Sequence, residues 1–171
     1  MRLLIKRFFA ICLLRASPQE LPSSLFLLSL SLLAYALVEL LLALNKTPWL
    51  EALAMVAVDT ILLATMSWLL LWIRTLTSRY VQTLTALAGC GALLTLCAWP
   101  LLLWQQDSAS DTAVMLIALL MWLWFFWQIM VFSHIISQSV SSPFFIGSLL
   151  ALLYIYISFS VAQTLFYQDA L

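Results

Sequence analysis

Two carboxylates set into apolar stretches are where this chain's chemistry would lie. Glu39 interrupts the run Leu37-Val38-Glu39-Leu40-Leu41, and Asp59 the run Ala57-Val58-Asp59-Thr60-Ile61. An acid surrounded by hydrocarbon is costly enough to need a reason: proton or cation handling, or a hydrogen-bonded role between helices. At helical spacing, Ser31, Tyr35 and Glu39 share one face of their segment, and Tyr156, Ser160, Gln163 and Tyr167 share one face of another. Turning both stripes inward predicts a polar cluster of Glu39, Asp59, Tyr35, Ser160 and Gln163. No Lys or Arg interrupts the same apolar stretches, so the acids have no cationic partner there. The plainer reading makes them interhelical glue, and the alternative makes them the working pair of a small proton- or cation-coupled transporter.

Other chemistry finds less support. His134 is the sole histidine and has no thiolate or carboxylate partner at ligand spacing, so no metal site is expected; a hydrogen bond to Gln138, one turn on, is. Cys12, Cys90 and Cys97 are odd in number, lack a Cys-x-x-Cys spacing and lie among apolar residues, which argues against a disulfide framework or a zinc site. Cys90 and Cys97 stand seven apart beside Ala86, on a helical face of small residues suited to close packing. Ser137, Ser139, Ser141 and Ser142 precede Pro143 and read as ordinary loop chemistry, without a Gly-x-Ser-x-Gly elbow. No phosphate-binding glycine loop occurs. No catalytic or cofactor-binding residue is therefore expected, and the chain is read as a non-enzyme.

These residues must be positioned by helices in lipid. Of 171 residues, 65% are hydrophobic and 8% charged, and the mean hydropathy is +1.12, whereas a soluble domain carries about 25% charged residues. Seven basic and seven acidic side chains cancel, which gives no argument for nucleic acid. Five unbroken Leu- and Ala-rich stretches have the ~20 residues that a helix needs to cross a bilayer. They are placed near 25–44, 50–73, 81–104, 112–136 and 144–166. The expected fold is an all-α membrane protein, a five-transmembrane-helix bundle with short loops and an N-terminal interfacial helix. Residues 1–22 form the interfacial segment and residues 23–171 the five-span domain. Gly89 and Gly91, in a run of small residues, and Gly147 with Ala151 are the candidate helix-packing positions, and they are also the faces through which copies of the chain would assemble.

Basic residues beside the span ends set the orientation. Arg2, Lys6, Arg7, Arg15, Arg74 and Arg79 collect on one side, Lys46 on the other with Glu51, Asp107, Asp111 and Asp169. That predicts a cytoplasmic N-terminus and an external C-terminus, in a cell membrane and most simply a bacterial inner membrane. Trp49, Trp99 and Trp104 fall near one expected surface and Trp68 and Trp72 near the other, whereas Trp122, Trp124 and Trp127 fall mid-span, as packing or lipid contacts. Arg15 directly follows the apolar run Phe8 to Leu14, and no small-x-small site precedes Pro18, so this segment is read as a surface helix and not as a signal peptide. Its basic residues scatter around the helical wheel. Ser17-Pro18-Gln19-Glu20 has the pattern of a capping box, and Pro22 is expected to bend the chain into the membrane.

The segment Arg15 to Pro22, the stretch from Tyr80-Val81-Gln82-Thr83-Leu84 through Gly89-Cys90-Gly91-Ala92 to Pro100, and Trp127 to Ile136 followed by Gly147 together resemble small bacterial membrane proteins of the Yip (Ypt-interacting protein) domain family. The resemblance implies a five-helix bundle and no catalytic residues. Eukaryotic relatives interact with small GTPases in membrane trafficking; the bacterial ones lack that machinery, so trafficking is not carried over. The expected partners are the lipid bilayer and other membrane proteins or further copies of this chain.

Overall fold

The computed structural model describes residues 2–45, 47–107 and 111–166, with side chains for 4–45, 47–104 and 112–165. It contains six α-helices: α1 (Arg2–Cys12), α2 (Leu25–Ala43), α3 (Trp49–Ile73), α4 (Tyr80–Asp107), α5 (Asp111–Val140) and α6 (Phe144–Phe166). Two short 3-10 turns, Pro18–Glu20 and Thr77–Arg79, punctuate the connections. Five of the helices, α2 to α6, are long and apolar enough to cross a membrane. The chain is an all-helical, multi-pass membrane protein.

The expected span limits hold to within a few residues, because apolar length in lipid is dictated by bilayer thickness. The largest difference is α5, which continues past Ile136 to Val140. Ser137 and Ser139 are therefore helical and buried, not part of a loop. A serine in a helix can return its hydroxyl to the backbone one turn back, and the Ser137 hydroxyl donates to the His134 carbonyl at 3.0 Å. Pro100 stays inside α4.

Helix α4 is the hub. Half of its apolar stretch is buried, 50%, against 11–17% for the other four spans. It packs most extensively on α2 and α5, and α5 packs as extensively on α6. Helix α3 touches α4, α5 and α6 and closes the bundle, with α2 set against α3 and α4. The short loops make successive spans antiparallel, so the starts of α2, α4 and α6 and the ends of α3 and α5 share one end. Lys6, Arg7, Arg15, Arg74 and Arg79 belong to it, and it is called the basic end below; the other is the far end. The chain reverses there through left-handed residues, Thr75 (φ 57°) after α3 and Ser141 (φ 52°) after α5.

Small residues set the helix spacing. A Cβ on Gly147 would lie 2.5 Å from the Ser133 carbonyl oxygen and 2.7 Å from Ser137 Cβ, so α6 presses directly on the backbone of α5. One turn later, Ala151 is fully buried. A Cβ on Gly89 would run into the Phe8 ring, and one on Gly91 would lie 3.0 Å from the ring of Tyr35. All four candidate packing positions are thus used within one chain. Sequence reasoning also offered the faces around Gly89 and Gly147 as contacts between copies; they are filled internally, by α1 and α5, because a stripe of small residues says only that something approaches closely.

Helix α1 seats on α4 by one face. Ile11 and Cys12 are buried there, with Leu4 and Phe8 half-buried above them. Its remaining surface divides in two. Ile5 and Phe9 form an exposed apolar edge, and Lys6 and Arg7 an exposed basic one. The scatter of charge around the wheel reflects this third face: two apolar faces, one toward protein and one free, leave a single strip for cations. The Cys12 thiol meets that of Cys90, whose sulfur also lies 3.9 Å from the Phe8 carbonyl. Cys97, on the same face of α4 but beyond α1, is exposed.

The capping box forms as the sequence implied, but around the 3-10 turn and not around the first span. Glu20 Oε1 accepts from the Ser17 N–H at 3.0 Å, and Ser17 Oγ from the Gln19 N–H at 3.4 Å. Helix α2 starts afresh at Leu25 under Ser24, whose hydroxyl accepts from the Leu27 N–H at 3.4 Å. The turn is pinned to the bundle by amides: Gln82 Nε2 donates to the carbonyls of Leu21 (2.7 Å) and Gln19 (3.2 Å), and Gln19 Nε2 donates to that of Gln138 (3.0 Å). Arg7 donates to the Glu20 carbonyl.

Candidate functional site

Asp59, ten residues into α3, gathers three hydroxyl donors. Its Oδ2 accepts from the Tyr35 hydroxyl of α2 at 2.5 Å, and its Oδ1 from Ser158 and Tyr154 of α6 at 2.6 and 3.2 Å. One carboxylate thereby joins three helices. The approach depends on Gly91: with no side chain there, an edge of the Tyr35 ring comes close to α4, and its hydroxyl reaches α3. Tyr154 is held from its other side by the Phe132 ring, at a centroid distance of 6.2 Å.

Glu39 sits one turn beyond Tyr35 toward the far end, about 6 Å along the axis. It has a separate partner, accepting from the Thr95 hydroxyl of α4 at 3.1 Å. The two acids are neighbours with separate donor sets, and hydroxyls take the place of cations in both. Hydroxyl donors satisfy a carboxylate without bringing a second charge into hydrocarbon.

The structure bonds Tyr35 to Asp59 and differs from the expected cluster on α6. Tyr156 is 69% exposed, and Gln163 is exposed and Ser160 half-buried. Their stripe is real but faces away from the other helices. The inward face of α6 is Ala151, Tyr154 and Ser158, nearly half a turn away. Polarity misled because a tyrosine near a membrane surface gains from exposure, whereas small residues and hydroxyls mark a packed face. The spacing Gly147, Ala151, Tyr154, Ser158 carried that signal. Tyr167 lies outside the described residues.

Toward the basic end from Tyr154 lies a cavity of about 20 Å³, between Leu63, Leu87, Phe132 and Ile136. Ser67 and Thr83 at its margin turn their protons to the Leu63 carbonyl at 2.6 Å and to Ser139 Oγ at 2.9 Å, and most of the side chains around the space are apolar.

His134 does not bond Gln138. Its Nε2 lies 3.0 Å from the Ala16 carbonyl, since the chain after α1 folds back over this part of α5 and offers a backbone acceptor before the neighbouring side chain can. The mid-span tryptophans divide by face: Trp124 donates from Nε1 to the Leu94 carbonyl at 2.9 Å, whereas Trp122 is 62% exposed and Trp127 also faces outward. Among the described residues, no three His, Cys, Asp or Glu side chains gather as a metal site would require. Comparison with protein-family models, with curated proteins and with solved structures returned no match.

Proposed function

We propose that this protein is a non-enzymatic partner or organiser of other components of a bacterial inner membrane, in the manner of the small Yip-domain proteins it resembles, with its N-terminus cytoplasmic and its C-terminus outside. The observation that carries this reading is the bonding of the two intramembrane acids to hydroxyls. Asp59 spends both its oxygens, and Glu39 one of its own, on hydroxyls from neighbouring helices, and the cavity toward the basic end from Tyr154 is lined mostly by apolar side chains. Such a junction supports a frame more than a conduit. What the frame offers outward is surface: Met115, Leu119, Trp122, Leu123 and Phe126 of α5 are all more than half exposed, and short loops leave partners little else to grip. The N-in orientation is supported by the cations of the basic end.

The test is photo-crosslinking in cells from a probe at Leu123, followed by identification of the adducts. A reproducible protein neighbour is the expected result; adducts to lipid alone would overturn the reading.

Transport of protons or cations is the second reading, favoured by the convergence of two acids and two tyrosines within three helices. Ion flux in liposomes that Glu39→Gln or Asp59→Asn abolishes, in variants that fold like the parent, would establish it. Flux absent from the parent would reject it.

A further inference from the structure

We propose that the crevice between α3 and α6 at the basic end binds one anionic phospholipid, with an acyl chain in the slot and its phosphate at Arg74 and Ser142. The crevice encloses about 210 Å³ and is walled by Leu70, Ile73, Ile146 and Leu150, with Arg74 and Ser142 as its polar members. That is an amphiphile's outline: a long apolar wall with donors gathered at one end. A helix, about 10 Å across, cannot enter so small a space, while a polymethylene chain can lie in it.

The donors point to an anion. Ser142 Oγ is buried and has no hydrogen-bond partner, a costly condition that a phosphate oxygen would relieve. Arg74 is exposed and lines the same space. Helix α6 begins two residues after Ser142 at the positive end of its dipole; the Pro143 carbonyl takes the N–H groups of Ile146 and Gly147, and those of Phe144 and Phe145 precede any intrahelical acceptor. Arg79 adds a second fixed charge beside the loop, donating to Ser141 Oγ at 2.9 Å and to the Ser139 carbonyl at 3.3 Å. Of the acids whose surroundings are described, Glu20 is the one at this end, and it is occupied by the Ser17 N–H. The donor set therefore meets a phosphodiester with charge complementarity, at the depth where headgroup meets acyl chain. This inference needs the helices to lie in a bilayer and is independent of any protein partner.

The full chain, purified in a nonionic detergent, is titrated with dioleoyl phosphatidylglycerol and with dioleoyl phosphatidylcholine, and native mass spectrometry reads the bound lipid and its apparent Kd. One phosphatidylglycerol is expected per chain, bound about fivefold more tightly than phosphatidylcholine, the scale of one basic residue acting on an anionic lipid. Arg74→Gln, at an exposed position, should erase that preference. Ile146→Trp, which fills the slot, should weaken both lipids together. Equal affinities in the parent would overturn the proposal, as would a preference that survives Arg74→Gln or slot filling without effect. Displacement of the lipid by millimolar inorganic phosphate would also overturn it, by showing a site for a free anion.

Discussion

The two ends of the bundle are built differently. At the basic end, ties cross between elements at almost every level: Gln82 to the 3-10 turn, Gln19 to α5, Thr83 to Ser139, Arg79 to the α5–α6 loop and His134 to the Ala16 carbonyl. Gly147 lets α6 touch the α5 backbone there, and α1 covers the small residues of α4. Toward the far end, the described residues are joined by Glu39 with Thr95 and by Trp124 with the Leu94 carbonyl. Leu96, Leu103 and Trp104 of α4 and most of α5 from Val114 to Phe126 face outward. In lipid no hydrophobic force drives helices together, so close packing and hydrogen bonds do that work. The basic end is then a part that fixes the helices through side-chain bonds, and the exposed face of α5 is the surface the proposed organiser would offer.

The largest effect expected from a single substitution tests that contrast where backbone meets backbone. Gly147→Ala places a methyl group 2.5 Å from the Ser133 carbonyl oxygen, and neither helix can yield without moving the other. A loss of about 3 kcal/mol is expected, at the upper end for overpacking. Gly89→Ala meets only the Phe8 ring, the end of a side chain on a short helix that can turn aside, and should cost about 1 kcal/mol. Unfolding midpoints at fixed detergent concentration compare the two. Equal losses would mean that α1 is held on α4 as rigidly as α6 on α5, and the contrast between backbone and side-chain contacts would fail.

What could be read in advance follows the same division. The five spans were legible because hydrocarbon thickness fixes their length and because a charge inside a span is rare enough to be noticed. Glu39 and Asp59 stood out for that reason, and Tyr35 with them, since its spacing from Glu39 places it on the same face. The rest of the Asp59 environment was hidden by the choice of face on α6. Counting polar groups picked Ser160 and Gln163, whereas the helix turns by its small residues and so presents Tyr154 and Ser158. Thr95 was hidden in another way, as one of many threonines, distinguished only by a register between α2 and α4 that Gly91 and Tyr35 set in three dimensions. The seat of α1 was half legible: Gly89 announced a close approach, but nothing in the spacing said that Phe8, some eighty residues earlier, would fill it.

The two acids offer a second comparison. Asp59→Ala strips the acceptor from three hydroxyls on two helices and should cost about 2 kcal/mol, somewhat above the range for a single intramembrane hydrogen bond. Glu39→Gln keeps an oxygen for Thr95 and should cost about 0.5 kcal/mol. The same unfolding titration measures both, and flux measurements on the two variants separate a loss of frame from a loss of conduction. If Glu39→Gln proved the more damaging, the organising centre of the membrane region would have to move from α3 and α6 to the contact between α2 and α4.

A last pair lies mid-span, where two tryptophans two residues apart on α5 face different surroundings. Trp124→Phe keeps the aromatic bulk and removes the N–H that reaches the Leu94 carbonyl, a loss of about 1 kcal/mol. Trp122→Phe changes a ring that packs mainly on Phe125 and Phe126 of its own helix, at centroid distances of 6.0 and 5.9 Å, and should fall within about 0.5 kcal/mol of the parent. The pair therefore asks whether stability and outward surface are separable on a single helix. If Trp122→Phe leaves unfolding unchanged yet removes crosslinks formed from Leu123, one turn face of α5 serves recognition while the adjacent one holds α4. If both variants unfold alike, the outward ring is part of the frame after all, and a partner would have to bind elsewhere.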